Sequence, residues 1–275
     1  QGVPREAGTE WFQISGSDSK RMINDFRENC GVLKTIGTVA YELRSEQEQA
    51  VAQTFDYFQS HQNGEFLWNA KPRFGKTLAT YDLCKRLKES KGKMACNILI
   101  VTNRPAIANS WYDDFVKFLG TESGFRFVSE VSALKGKPYV LTRYEYTDNL
   151  SSSGLASCIE FVSLQDLKGS LYFGGQYDKL KELVQMQWEL LVIDEAHEGV
   201  DTSKTDVAFH QIKRNHTLHL SGTPFKALAN DKFPADAIYN WTYADEQKAK
   251  RDWSDVEHNN PYENLPQLNL FTYQM

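Results

Sequence analysis

The chain has no apolar run approaching the ~20 consecutive residues that a bilayer-spanning helix needs. Its most apolar stretch, around residues 189–193, is far shorter, so no membrane segment is expected. Residues 1–20 show no basic start followed by an apolar block, which leaves no visible secretory signal, and the chain opens on Gln1 as a trimmed sequence does. Cysteine is scarce: Cys30, Cys84, Cys96 and Cys158 are scattered without a Cys-x-x-Cys pair, so a disulfide framework or thiolate metal knot is not expected. Buried thiols in a reducing cytoplasm fit that pattern. The six histidines are equally dispersed, and no pair has metal-ligand spacing with cysteine partners. Positive charge is not in excess either. The formal net charge is −5, so any nucleic acid must be held by a local groove and not by the field of the whole molecule. Internal repeats and low-complexity tracts are missing as well.

What remains is an ordinary globular composition. Hydrophobic residues make up 41% and charged residues 24%, in a chain of 275 residues that is long enough to bury a substantial core. From about Glu42 onward, short runs rich in Ile, Leu, Val and Phe (residues 97–102, 159–163, 190–194 and 217–221) alternate with stretches whose apolar residues recur every three to four positions. The latter predict helices over residues 46–58, 76–89, 105–118 and 177–187. Such alternation predicts an α/β domain with a mostly parallel central sheet flanked by helices. Residues before Tyr41 and after Phe225 depart from the pattern and are read as flanks.

Two local signals carry chemistry. Ala70-Lys71-Pro72-Arg73-Phe74-Gly75-Lys76-Thr77 follows the apolar strand 66–68 and opens a helix, which is the setting of a P-loop. Backbone N–H groups at a helix N-terminus wrap a phosphate there, Lys76 would bridge the β- and γ-phosphates, and the Thr77 hydroxyl would ligate Mg²⁺. The usual first glycine is Ala70, and Pro72 removes one N–H donor. A Gly-Lys-Thr with these changes, taken alone, is also what a chance loop gives. The second signal is Asp194-Glu195-Ala196-His197 after Leu190-Leu191-Val192-Ile193. Adjacent carboxylates at the end of a buried strand resist joint ionisation unless a cation compensates. Asp194 is the expected Mg²⁺ ligand and Glu195 the base that activates water; a surface Asp-Glu turn is the plain alternative.

Over roughly residues 43–225 the chain resembles the DEAH-box branch of superfamily-two helicases and translocases, in their first RecA-like P-loop domain. Ser221-Gly222-Thr223-Pro224 resembles that family's third motif, which implies coupling of ATP state to nucleic-acid grip through Ser221 and Thr223. Leu43-Arg44-Ser45-Glu46-Gln47 is similar to the element in which a glutamine reads the adenine edge, placing Arg44 and Gln47 in the nucleotide site. Thr102-Asn103-Arg104 with the helix containing Trp111, and Phe161-Val162-Ser163-Leu164-Gln165, resemble backbone-contacting elements. His197 is functional by its motif position. Within the family, the look-alikes are motor subunits of bacterial restriction and phage-defence enzymes, and the Tyr-rich stretch 239–246 is similar to a helix lead-in seen in restriction motors.

The resemblance implies ATP and Mg²⁺ as cofactors and double-stranded DNA as partner. It also implies a second RecA-like domain supplying arginines across a cleft, and it leaves room for a fused nuclease or methyltransferase. Residues 226–275 cannot hold that second domain, so this chain alone is expected to bind nucleotide weakly and hydrolyse it poorly. Residues 1–40, with Trp11, Phe12 and Ile14 close together, read as the remnant of an upstream domain, similar over about a dozen residues to the end of GIY-YIG-type nucleases; an extension packed on the motor domain is the alternative. A phosphotransferase or ring ATPase is disfavoured because neither needs the Ser-Gly-Thr-Pro element. A nucleotide-dependent DNA-binding module or scaffold is the competing reading, supported by the altered P-loop.

Overall fold

The computed structural model describes residues 40–92, 94–147, 157–194, 208–222, 233–254, 260–263 and 265. Glu195, His197, Thr223, Cys30, His258 and the whole segment around Trp11 lie outside the described residues. Eight strands form one sheet: β1 (Glu65–Ala70), β2 (Ile98–Thr102), β3 (Phe125–Val128), β4 (Val140–Leu141), β5 (Ser157–Ser163), β6 (Trp188–Asp194), β7 (Arg214–Ser221) and β8 (Ile238–Trp241), in the order β4-β3-β5-β2-β6-β7-β1-β8. Every pairing is parallel, so the expectation of a mostly parallel sheet is met in full.

The continuous apolar runs follow from burial on both faces. Every residue of β2, β5 and β6 is buried, and the period-2 pleat sends alternate side chains to two separate cores. Ile98, Ile100, Ile159, Phe161, Leu190 and Val192 pack on one face, under α1 (Ser45–Ser60), α2 (Lys76–Ser90) and α3 (Ala108–Asp114). Leu99, Val101, Cys158, Val162, Leu191 and Ile193 pack on the other, against α4 (Leu164–Gly169), α5 (Lys181–Gln185) and Phe209.

Several expectations are corrected. The helix expected over residues 177–187 is confined to α5, because Tyr177 bridges Ser170 in a parallel pairing and Leu180 takes a left-handed φ of 65° that stops a helix from starting earlier. The helix expected over 105–118 is three successive windings: a 3₁₀ turn at Pro105–Ile107, α3, and a π turn at Phe115–Leu119 that ends on Gly120. The segment after Phe225 is no mere flank, since β8 extends the sheet beside β1 and leads through a capping box, Thr242 with Asp245, into α6 (Tyr243–Asp252). The basic residues near the end of α2 are engaged by neighbours. Arg86 pairs with Glu48 and Asp82, Lys91 with Glu189, and Lys88 lies over the Phe125 ring.

Cys84, Cys96 and Cys158 are buried and free; burial pushes the Cys96 thiol up to about 12, so it stays protonated and inert. Among the described residues, no helix is long and apolar enough to cross a membrane.

Candidate functional site

Because all the strands run the same way, their C-terminal ends share one edge, and that is where the sequence motifs arrive. Ser163 of β5 is in register with Thr102 of β2, Thr102 with Asp194 of β6, and Asp194 with Leu220 of β7. Ser221 is in register with Asn69 of β1, one residue before the loop that starts at Ala70. In open parallel sheets ligands bind outside the carboxyl ends of strands, where chain order reverses. Here β1 lies between β7 and β8, remote from its sequence neighbour β2.

The loop after β1 is shaped by its own sequence. Gly75 caps α2 with a φ of 89°, and a Cβ there would meet Gln47 Nε2 at 2.3 Å, so both backbone and space call for glycine. Arg73 also has a positive φ, 68°, which an L side chain adopts at a cost of about 1–2 kcal/mol, and it points into solvent beside exposed Pro72. Phe74 is fully buried between Trp68 and Tyr239, ring centroids 6.3 and 6.2 Å away. It works as the apolar anchor that lets this glycine-poor loop keep one shape. Lys76 Nζ donates to the Ala70 carbonyl at 2.9 Å, placing the ammonium inside the loop.

Arg44 and Gln47 brace the loop from α1. Both donate to the Phe74 carbonyl, at 2.6 and 2.8 Å, while Gln47 Oε1 accepts the Arg44 N–H at 2.8 Å. The expected adenine reader is therefore a buried strut of the loop in this arrangement. Lys71 is held from the other side: its backbone N–H donates to the Trp241 carbonyl, and its ammonium lies 2.6 Å from Glu246 of α6, a carboxylate that is 1% exposed. Tyr262 closes the frame by donating to Glu46 at 2.6 Å and stacking on Trp241; burial and the Glu46 bond push its hydroxyl up to about 12.

Across the edge, Asp194 is 8% exposed and accepts a 2.9 Å bond from the Trp111 indole N–H. Gly222 lies against the loop after β1, where a Cβ would sit 3.5 Å from Pro72 Cδ and 3.7 Å from the Ala70 oxygen. Thr102 is buried and its hydroxyl accepts the Arg104 N–H at 3.1 Å, leaving Asn103 and Arg104 exposed on the strand exit. Ser163 caps α4 through Asp166, Gln165 is exposed, and Lys179 pairs with Asp166 at 2.6 Å. Burial alone would raise the Asp166 carboxyl, but the Lys179 and Ser163 bonds outweigh it and hold it below the usual value. A cavity of about 330 Å³ opens here, with Arg143 on its wall in a buried pair with Glu160.

The chemistry of two side chains suits Mg²⁺. Thr77, on the first turn of α2, and Asp194 offer hard oxygens, and among the described residues no group of three or more His, Cys, Asp or Glu forms an all-protein metal cage. Mg²⁺ bound with nucleotide takes just such a sparse set, filling its remaining positions with water and phosphate oxygens.

Comparison with known proteins is decisive about kinship. The family model described as Type III restriction enzyme, res subunit, matches residues 40–226, well over half of the chain. The chain belongs to this family. The match contains the loop from Ala70 to Thr77, Asp194 and Ser221, whereas β8, α6 and Tyr262, which clamp that loop, lie beyond it. A protein of Mycoplasma pneumoniae named as a candidate type II restriction enzyme and methyltransferase C-terminus is 25% identical over 277 aligned positions, covering 86% of this chain and 36% of that protein. The chain thus spans about a third of that relative's length. Among solved structures, a nuclease-deletion mutant of the Type ISP restriction-modification enzyme LlaGI, in complex with a DNA substrate mimic, superposes with a TM-score of 0.55 at 16% identity, over 78% of this chain and 21% of that one. That likeness shows the fold: a RecA-like helicase-type core.

Proposed function

We propose that this res-family domain binds ATP with Mg²⁺ and serves as the first motor domain of a DEAH-type helicase or double-stranded DNA translocase in a restriction or phage-defence enzyme. The observation that carries the reading is the convergence at one sheet edge of the Lys76 loop after β1, the buried Asp194 at the end of β6 and Gly222 packed on Pro72. In this reading the N-terminus of α2 and Lys76 hold the phosphates. Thr77 and Asp194 hold the metal, which supplies charge neutralisation on the phosphate oxygens. Glu195 directs water and takes its proton. Gly222 lies close enough to the loop to pass a change there into the segment carrying Thr223. In the same reading Asn103 and Arg104, exposed at the end of β2, and Gln165, exposed beside the helix-capping Ser163, would meet a DNA backbone. A second RecA-like domain would add the arginines, an addition worth ~10³ to 10⁵ in rate in nucleotide hydrolases, so the isolated domain turns over slowly.

One feature favours a second reading, a nucleotide-dependent DNA-binding module with little hydrolysis. Pro72 lacks an N–H, Arg73 is strained, and Lys71 is committed to Glu246, which together give a stiffer loop than a glycine-rich one. ATP turnover of the full-length protein, with and without duplex DNA, separates the two. The motor reading expects DNA-stimulated turnover that Glu195→Gln stops while nucleotide stays bound, and Asp194→Asn should weaken the dependence on Mg²⁺. Wild-type turnover indistinguishable from background under both conditions would favour the module.

A further inference from the structure

We propose that Trp111 is a positioning residue for the metal-binding carboxylate: its indole N–H orients Asp194 and ties that side chain to the loop leaving β2. The inference rests on the nucleotide-site reading of Asp194 given above. The indole nitrogen lies 2.9 Å from Asp194 Oδ2, and Trp111 is 1% exposed. A carboxylate this buried needs a donor. A neutral N–H satisfies one oxygen without itself adding the positive charge that a lysine or arginine donor would bring to that oxygen. Anchoring one oxygen also fixes the carboxylate plane, and with it the direction of the other, which is how partners behind a metal ligand set its geometry.

The donor is itself held in place. Tyr81 donates its hydroxyl to the Trp111 carbonyl at 2.6 Å, and the Tyr81 ring meets the indole edge-on at 5.4 Å and 89°. Tyr81 lies in the second turn of α2, the helix whose first turn carries Lys76 and Thr77. Trp111 lies on α3, reached from β2 through Thr102, Asn103, Arg104 and the 3₁₀ turn. One side chain therefore connects three parts: the phosphate-loop helix, the metal carboxylate, and the exposed strand exit placed to meet DNA. Movement of that exit has a short route along the chain to Trp111, and through its indole N–H to Asp194.

Two substitutions separate hydrogen bonding from packing. Trp111→Phe keeps an aromatic ring and removes the donor. Trp111→His loses bulk but sets its Nε2–H where the indole nitrogen lies. The readout is Mn²⁺ affinity, measured by electron paramagnetic resonance on the full-length protein with a non-hydrolysable ATP analogue, alongside analogue affinity without metal. Removal of a partner behind a metal ligand typically weakens the metal about 10- to 100-fold. The expected result is such a loss in Trp111→Phe, unchanged metal-free nucleotide affinity, and recovery in Trp111→His. Mn²⁺ affinity of Trp111→Phe equal to wild type, or an equal loss in both variants, overturns the inference while leaving the nucleotide site standing. Wild-type protein that takes up no Mn²⁺ with the analogue overturns the proposed function, and this inference with it. Should neither variant fold, the wild-type Trp111 indole proton resonance decides: it moves upfield in Asp194→Asn if the bond exists, and a resonance that stays in place overturns it.

Discussion

Replacing Gly75 with alanine probes the join between α1 and the loop after β1 at its tightest point. The backbone φ of 89° is left-handed, which an L side chain adopts at about 1–2 kcal/mol. The new Cβ would start 2.3 Å from Gln47 Nε2, so the amide must swing away and give up its 2.8 Å bond to the Phe74 carbonyl. That bond is worth about 1 kcal/mol net. Arg44 still donates to the same carbonyl at 2.6 Å, so the oxygen is not orphaned. The sum is about 2–3 kcal/mol, or roughly 4–12 °C in melting temperature for a domain of this size. Thermal unfolding of wild type, Gly75→Ala, Gln47→Ala and the double variant resolves the parts, because without the Gln47 amide the added methyl meets nothing. The double variant should be less destabilised than the two single losses combined, by about 1 kcal/mol. Strict additivity, or a Gly75→Ala change within the ~0.5 kcal/mol scatter of surface substitutions, would refute the description of this contact.

Two further outcomes are expected. Glu246→Gln removes the charge facing Lys71 in a pair that is 1% and 15% exposed, so urea unfolding should show a loss of about 3 kcal/mol together with weaker nucleotide binding; a stability change below ~0.5 kcal/mol would show that the clamp contributes nothing. His216 stacks on Phe58 at 4.4 Å, and burial lowers its pKa from the ordinary 6.5, against an opposing pull from Glu189. The unfolded chain then binds a proton that the folded chain refuses, so this contribution is complete above pH 6.5 and is lost as pH falls towards the native value. The stability lost between pH 7.5 and 5.5 should be smaller in His216→Phe than in wild type, and an identical loss would contradict the burial argument.

How much of this was legible in the sequence depended on how local the cause was. β2 and β6 stand out because burial on both faces demands nearly unbroken apolar runs, while β5 and β7 show shorter apolar runs broken by Glu160 and His219. β3 and β8 do not: Arg126 interrupts one, and Asn240, exposed at the sheet edge, interrupts the other. α5 is shorter than its periodicity predicts because the apolar spacing does not reveal that Leu180 is left-handed. Lys76, Asp194 and Ser221 come to one edge because a parallel sheet sends all strand ends to the same side. Side-chain partners across long stretches of chain were another matter. Trp111 with Asp194 and Lys71 with Glu246 are 83 and 175 residues apart, and only the crossover topology brings them together. Gln47 carried a role by resemblance, while its actual neighbours followed from α1 packing on the Phe74 turn.

The central claim is that the loop from Ala70 to Thr77 is a phosphate site, and Lys76 tests it most directly. Its ammonium already lies 2.9 Å from the Ala70 carbonyl, inside the loop where terminal phosphates would sit. Titration of a fluorescent ATP analogue with Mg²⁺ into the full-length wild type and Lys76→Ala, with folding checked by circular dichroism, should show saturable binding in the first and none in the second. Equal affinity in the two proteins would contradict the account.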